Sequence, residues 1–100
     1  MNAVGVLDDV NTLLHEAGHA FHAVESHRWP LVGERHPGYE MCELASMSME
    51  LRAAPYLRKD RGGFFSEAEF DRARAEHLED VLITLSHVAS VDAFQSWLYT

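Results

Sequence analysis

The strongest constraint on the fold is a helical apolar period that begins at Ser66 and continues almost to the end of this 100-residue chain. Ser66 and Glu69 have the spacing of a capping box, and Phe65 and Phe70 can close a hydrophobic staple across the same helix start. Beyond them, a helical period of three or four residues continues through Ala73, His77 or Leu78, Val81, Leu85, Val88, Val91 or Ala89, Phe94 and Leu98. We therefore predict one long C-terminal helix.

The N-terminal third of the chain predicts another helix. Asp8 or Asp9 can cap it, because a short carboxylate accepts the free N–H groups of a first helical turn. The helix is expected to run to about His27, since Trp29-Pro30 cannot continue it. Its apolar residues recur at helical spacing and are expected to form one buried stripe: Val10, Leu13, Leu14, Ala17, Phe21 and Val24.

A middle helix should start near Tyr39 and end or break at Pro55. Residues 29–38 and 58–63 read as loops, because glycine and proline are frequent in the first and glycine follows basic residues in the second. Alternation typical of a strand is absent after residue 6, and the first six residues leave a short strand open. The pattern predicts an all-α fold with three main helices in a single domain. We expect its core to include Phe21, Trp29, Met41, Met47, Met49 and Phe94.

Composition excludes several functional classes. The chain is 47% hydrophobic and 24% charged, which suits one packed core, and its net charge is -8. Without a basic run it is a poor partner for nucleic acid or for anionic membranes. Apolar runs such as Val81-Leu82-Ile83 are far too short to cross a bilayer. Cys42 is the only cysteine, which fits a reducing compartment, and the N-terminal residues do not resemble a secretory signal, so we predict a cytoplasmic location.

The chemistry of the chain is concentrated in the motif His15-Glu16-Ala17-Gly18-His19, which has H-E-x-x-H spacing. His15 and His19 lie one turn apart on one helix face, so both imidazoles can bind the same metal ion. Glu16 projects beside that ion, where a carboxylate can take a proton from a metal-activated water. The spacing thus predicts two metal ligands and a general base.

A hydrolytic zinc site needs a third protein ligand. His22 would have to reach back along its own helix, and the longer H-E-x-x-H-x-x-G-x-x-H pattern is excluded because His22 and Glu25 stand where it needs Gly and His. Glu43 lies on the middle helix, which the intervening loop allows to fold back. We predict Glu43 as the third ligand and Zn²⁺ as the cofactor.

The residues around this motif suggest supporting roles. Ser46 and Glu50 share a helix face with Glu43 and are expected to hydrogen-bond to the ligand imidazoles, although for Glu50 a solvent-exposed position is equally expected. His77 and His87 are interpreted as surface or core-edge histidines apart from the motif. A glycine inside a helix costs about 1 kcal/mol relative to alanine, so Gly18 suggests a close helix contact.

Three blocks of the chain together resemble a known enzyme family. The segments His15–His22, Glu43–Glu50 and Val91–Tyr99 are similar, in this order, to the zinc core of the thimet oligopeptidase and oligoendopeptidase F family, and most similar to its Pz-peptidase-like branch. The resemblance implies a zincin-like, largely helical catalytic core that hydrolyses short peptides. It also implies that His15, His19 and Glu43 bind zinc and that Glu16 is the general base and later the proton donor.

The same resemblance implies that the chain is only part of a catalytic domain. The family's oxyanion-stabilising Tyr and a substrate-binding His match no residue here, so we expect residues 1–100 to be a partial metallopeptidase domain with weak or no turnover alone. The alternative is a non-catalytic helical module that is stabilised by the metal, or that self-associates through apolar surface a missing part would cover. A form that has lost metal binding is a third possibility.

Overall fold

The computed structural model describes residues 3–100, which form three α-helices: α1 (Leu7–Ser26), α2 (Tyr39–Ala53) and α3 (Glu67–Tyr99). Short 3-10 helices occupy the connections, at Val32–Arg35, Ala54–Tyr56 and Lys59–Arg61. The described residues contain no strand, and the possible strand at the N-terminus is not formed over residues 3–6; residues 1 and 2 lie outside the described part. The all-α prediction with three main helices is confirmed.

The start of α3 follows the predicted capping box. The Ser66 N–H and hydroxyl donate to Oε2 of Glu69, at 2.8 and 2.6 Å, and the Glu69 N–H donates back to the Ser66 hydroxyl at 3.4 Å. These hydrogen bonds lower the pKa of the Glu69 carboxyl, the Ser66 hydroxyl contributing most.

The predicted cap of α1 is wrong in detail, because the helix begins directly after Val6 and neither Asp8 nor Asp9 is the capping residue. Asp9 instead lies in the first turn, and its Oδ2 accepts the N–H groups of Val4, Gly5 and Val6 at 2.9, 2.6 and 3.0 Å. Gly5 has a φ of 85°, a left-handed conformation that brings these donors toward one oxygen. The hydrogen bond from Val6 is the largest cause of the lowered pKa of Asp9.

Two helices, α1 and α2, pack very closely at Gly18. A Cβ added to Gly18 would lie 2.5 Å from the Cα of Ser46 and 3.0 Å from the carbonyl oxygen of Ala45, so only glycine allows the two backbones to approach this closely. Ser46 is fully buried at this crossing. The helix contact predicted at Gly18 is therefore confirmed, and it fixes the relative position of α1 and α2.

The expected apolar core is not formed by the described residues. Phe65 is their single buried large hydrophobic side chain, and on α1 the predicted stripe is incomplete, because Leu13, Phe21 and Val24 are at least 60% exposed. The predicted core residues Trp29, Met41, Met47 and Phe94 are exposed as well. The reason is that α1 is covered mainly by α2, while α3 touches the pair only near its N-terminal end.

Beyond Leu78, every residue of α3 is exposed. Consistent with this projecting helix, the radius of gyration is 16.7 Å, larger than the roughly 13 Å of a compact domain of this length. Among the helices of residues 3–100, none combines the length and the apolar character that crossing a membrane requires.

Candidate metal centre

The motif histidines project from one face of α1. His15 and His19 are one helical turn apart, and their Nε2 atoms lie 3.2 Å from each other. Their rings are nearly perpendicular, with an interplanar angle of 84° and a centroid separation of 4.8 Å. Both side chains are about 30% exposed, so solvent or a ligand can reach the two nitrogens.

Glu43 reaches the same point from α2. Its Oε2 lies 3.2 Å from Nε2 of His15, and its Oε1 lies 3.8 Å from Nε2 of His19. One ligand atom from each of these three residues can be chosen so that all lie within 4.8 Å of one another. The structure thus brings together the three side chains that the sequence predicts as metal ligands.

The spacing of these atoms fits a tetrahedral metal ion. An ion about 2.0–2.1 Å from each donor holds the donors about 3.3–3.4 Å apart, which is the edge of the tetrahedron. The two imidazole nitrogens are 3.2 Å apart, and one Glu43 oxygen lies 3.2 Å from His15 while the other lies 3.8 Å from His19. With one oxygen chosen, the three donors lie within 4.8 Å of one another, close to the spacing that an ion would hold. Two imidazoles and a carboxylate are also ligand types that zinc accepts, so the donor set fits the ion.

Glu50 sets the hydrogen bonding of His15. Its Oε1 lies 2.7 Å from Nδ1 of His15, and because a carboxylate only accepts, Nδ1 carries the proton. The lone pair of the neutral ring is then on Nε2, which faces the carboxylate of Glu43. Two such electron-rich atoms repel at 3.2 Å unless a cation or a proton lies between them. The predicted hydrogen bond between Glu50 and a motif imidazole is confirmed, with His15 as the donor.

Ser46 has a different partner from the one predicted. Its hydroxyl lies 2.8 Å from the carbonyl oxygen of Glu43 and 3.2 Å from Oε2 of the same residue, and it contacts no imidazole. The reason is that Ser46 lies one turn after Glu43 at the buried crossing with Gly18, so its side chain is directed along α2. Ser46 therefore orients the Glu43 carboxylate.

His77 is half-buried at the edge of the helix pair, as interpreted from the sequence, but it lies beside Glu50, a contact that the sequence did not indicate. Its Nδ1 lies 3.8 Å from Oε2 of Glu50, and its side chain is 24% exposed. α3 passes close to the other two helices here, and nothing in its own sequence period indicates which residue meets Glu50. Glu50 thus lies between His15 and His77. His87 is exposed, as predicted.

Two further motif residues lie beside the cluster. The side chain of Glu16 is exposed and forms no hydrogen bond or ion pair with any residue of the described chain. His22 is half-buried one turn beyond His19, and it is not part of the group that can hold a metal. Rejection of His22 as the third ligand therefore agrees with the geometry.

Helices that present H-E-x-x-H histidines and a glutamate from a second helix define a metallopeptidase-type site. The comparison with protein families agrees: the model of peptidase family M3 matches residues 1–100, and the chain belongs to this family of metallopeptidases. The resemblance to thimet oligopeptidase-type enzymes is thereby confirmed at the level of the family. Comparisons with curated proteins and with solved structures give no match.

Proposed function

We propose that residues 1–100 form the zinc-binding part of a metalloendopeptidase domain that hydrolyses short peptides. The observation that carries this proposal is that His15, His19 and Glu43 each offer one donor atom and that these three atoms lie within 4.8 Å of one another. Membership of peptidase family M3 supports peptide-bond hydrolysis as the reaction. The Pz-peptidase-like branch and a cytoplasmic location remain predictions.

In this proposal each ligand is held by a neighbour within the chain. Glu50 fixes His15 with Nδ1 protonated, and Ser46 holds the carboxylate of Glu43. Such partners raise ligand basicity and keep the donors in place before the ion arrives. The zinc ion, when bound, supplies Lewis acidity toward a water molecule and toward the carbonyl of the peptide.

Glu16 acts as the general base. It follows His15 directly on α1, and its carboxylate is exposed and unpaired within the described residues, so it is free to take a proton from the attacking water. The same carboxyl group then donates that proton to the leaving nitrogen of the substrate.

Turnover by these residues alone should be weak. The resemblance to the family assigns the oxyanion-stabilising role to none of the tyrosines Tyr39, Tyr56 and Tyr99. Loss of one oxyanion donor typically reduces the rate about 10²- to 10³-fold. Metal binding, which needs only the residues described above, is therefore the primary readout for the proposal, and peptide hydrolysis is the second.

The test combines metal analysis with five variants. Purified wild-type chain should bind one zinc, and alanine at His15, His19 or Glu43 should abolish tight binding. Glu16→Gln should keep the zinc and lose any hydrolysis of a fluorogenic peptide, whereas His87→Ala, an exposed histidine on α3, should change neither. The proposal fails if the wild type binds no zinc, or if Glu43→Ala binds it as tightly as the wild type.

A non-catalytic, metal-stabilised helical module is the second candidate. The observation in its favour is that Phe65 is the one large hydrophobic residue buried within residues 3–100, so a bound ion would add much of the stability. Three results together would favour this module over the peptidase. The chain unfolds when zinc is removed by a chelator, the variant Glu16→Gln takes up zinc as well as the wild type does, and neither form hydrolyses a peptide. Sedimentation at several concentrations would test the self-associating form of this module.

A further inference from the structure

A cavity lined by both polar and apolar residues opens beside the metal-ligand cluster. It has a volume of about 270 Å³ and lies between the C-terminal half of α1, the 29–38 connection and the start of α2. His19 lines both this cavity and the cluster, so a molecule bound in the cavity is adjacent to a metal ligand. The other polar residues of its lining are His22, Ser26, His27, Arg35, His36 and Cys42.

The charge of this cavity is opposite to that of the chain. The sequence carries sixteen Asp and Glu residues against eight Lys and Arg, yet no carboxylate lines the cavity. Arg35 and four of the seven histidines of the chain lie there. The cavity therefore offers a cation and several N–H donors, and it presents no acidic group that would repel an anion.

Arg35 is held in this position by the backbone. Its Nε donates to the carbonyl oxygen of Trp29 at 2.8 Å, and one terminal nitrogen donates to that of Pro30 at 3.4 Å. Carbonyl groups fix the guanidinium without cancelling its charge, and no carboxylate of the described residues lies within ion-pair distance of it. The rings of His22 and His36 have no hydrogen-bond partner within the same part of the chain. The cavity thus holds a half-buried, uncompensated cation and two available imidazoles.

We infer that this cavity is a subsite that binds a carboxylate group of the peptide substrate, with Arg35 as the charged anchor and His22 and His36 as hydrogen-bond donors. The inference rests on the proposed function for the identity of the ligand as a peptide. Arginine suits this role because its charge is permanent and its N–H groups match a carboxylate. The carboxylate can come from an acidic side chain or from the C-terminus of a short peptide.

Two matched pairs of peptides test the subsite and separate these sources. Acetylated Ala-Ala-Glu amide is compared with acetylated Ala-Ala-Gln amide, and acetylated Ala-Ala acid is compared with its amide. Binding is followed by ¹H–¹⁵N NMR titration of the full chain, with and without zinc. At least one acidic peptide should bind about tenfold more tightly than its neutral partner, with shifts at Arg35 and His36.

The zinc-free titration distinguishes the subsite from direct binding of carboxylate to the ion. A preference for acid that vanishes without zinc, in a chain whose spectrum remains folded, overturns the inference. A preference that persists supports it even if zinc fails to bind at His15, His19 and Glu43, so the two proposals can fail separately.

Variants locate the preference. Arg35→Gln should abolish the acid preference, and Arg72→Gln, an exposed arginine of α3, should retain it. Because Arg35 also holds the connection, His36→Ala provides a second variant that leaves those carbonyl contacts intact, and it should reduce the preference severalfold. Equal binding of acidic and neutral peptides by the wild type, or an unchanged preference in both Arg35→Gln and His36→Ala, contradicts the subsite.

Discussion

Gly18→Ala is the most direct perturbation of the helix pair that carries the ligand cluster. The new Cβ would lie 2.5 Å from the Cα of Ser46, about 0.9 Å short of the 3.4 Å at which ordinary contact begins. Because the obstructing atom belongs to the backbone, α1 and α2 must move apart. Overpacking of this kind costs about 1–3 kcal/mol, offset by about 1 kcal/mol from the better helix propensity of alanine. We expect a net loss of about 0–2 kcal/mol in the free energy of unfolding.

Zinc affinity should respond more strongly than stability to this substitution. His19 directly follows residue 18, and Glu43 lies one turn before Ser46, so separating the helices by nearly 1 Å moves ligands that tolerate about 0.2 Å. We expect zinc binding to weaken at least tenfold, as measured by competition with a chromogenic chelator. Urea unfolding of the same variant measures the change in the free energy of unfolding.

Gly33→Ala is the matched control for Gly18→Ala. An added Cβ there meets no atom within 4 Å, and the glycine has no positive φ, so neither quantity should fall. If Gly18→Ala binds zinc as tightly as the wild type and is equally stable, the close contact between α1 and α2 is refuted.

Three further predictions concern the ligand partners, the ion and pH. Glu50→Ala should weaken zinc binding about 10- to 100-fold, because His15 loses the carboxylate that fixes its ring. The control is Glu79→Ala, which removes an exposed carboxylate of α3. If both variants bind zinc equally well in competition with a chelator, Glu50 does not support the ligand His15. Zinc at a concentration about a thousand times its dissociation constant should increase the free energy of unfolding by about 4 kcal/mol. This increase should raise Tm by about 15 °C or more, and Glu43→Ala should remove most of the rise. The pKa of Glu69 is lowered from 4.5, so its stabilising contribution is complete above that value and is lost as the pH falls through the lowered pKa. Below pH 4.5, the free energy of unfolding should therefore fall less steeply with decreasing pH in Glu69→Gln than in the wild type. Identical pH dependence in the two proteins would contradict this contribution of Glu69.

The sequence predicts the parts of this site that depend on local spacing. The turn between His15 and His19, the start of α3 at Ser66 and the helix contact at Gly18 follow from helix geometry, capping and the cost of glycine. Glu43 could be predicted because it was the remaining acidic ligand on a helix able to fold back. These inferences needed no knowledge of how α3 packs.

What depends on packing could not be read from the pattern. Helical periodicity indicates which face of α3 is apolar. It does not indicate how much of that face the neighbouring helices cover, and they cover only its N-terminal part. The burial predicted for Phe21, Met47 and Phe94 therefore failed. The contact of His77 with Glu50 was missed for the same reason, because it arises from where α3 crosses α2, a position that no spacing within α3 specifies.

The ligand cluster and the close contact between α1 and α2 occupy one place, and this coincidence has a physical consequence. Gly18 and Ser46 let α1 and α2 approach closely. Gly18 directly precedes His19, and Ser46 hydrogen-bonds to Glu43. Elsewhere the apolar surface is largely exposed, so little else within residues 3–100 opposes separation of the two helices. A bound ion would bridge α1 and α2 at that contact and hold them together. Metal affinity and the stability of the helix pair should therefore change together whenever a substitution alters the contact, and neither should change when a substitution alters only Glu16.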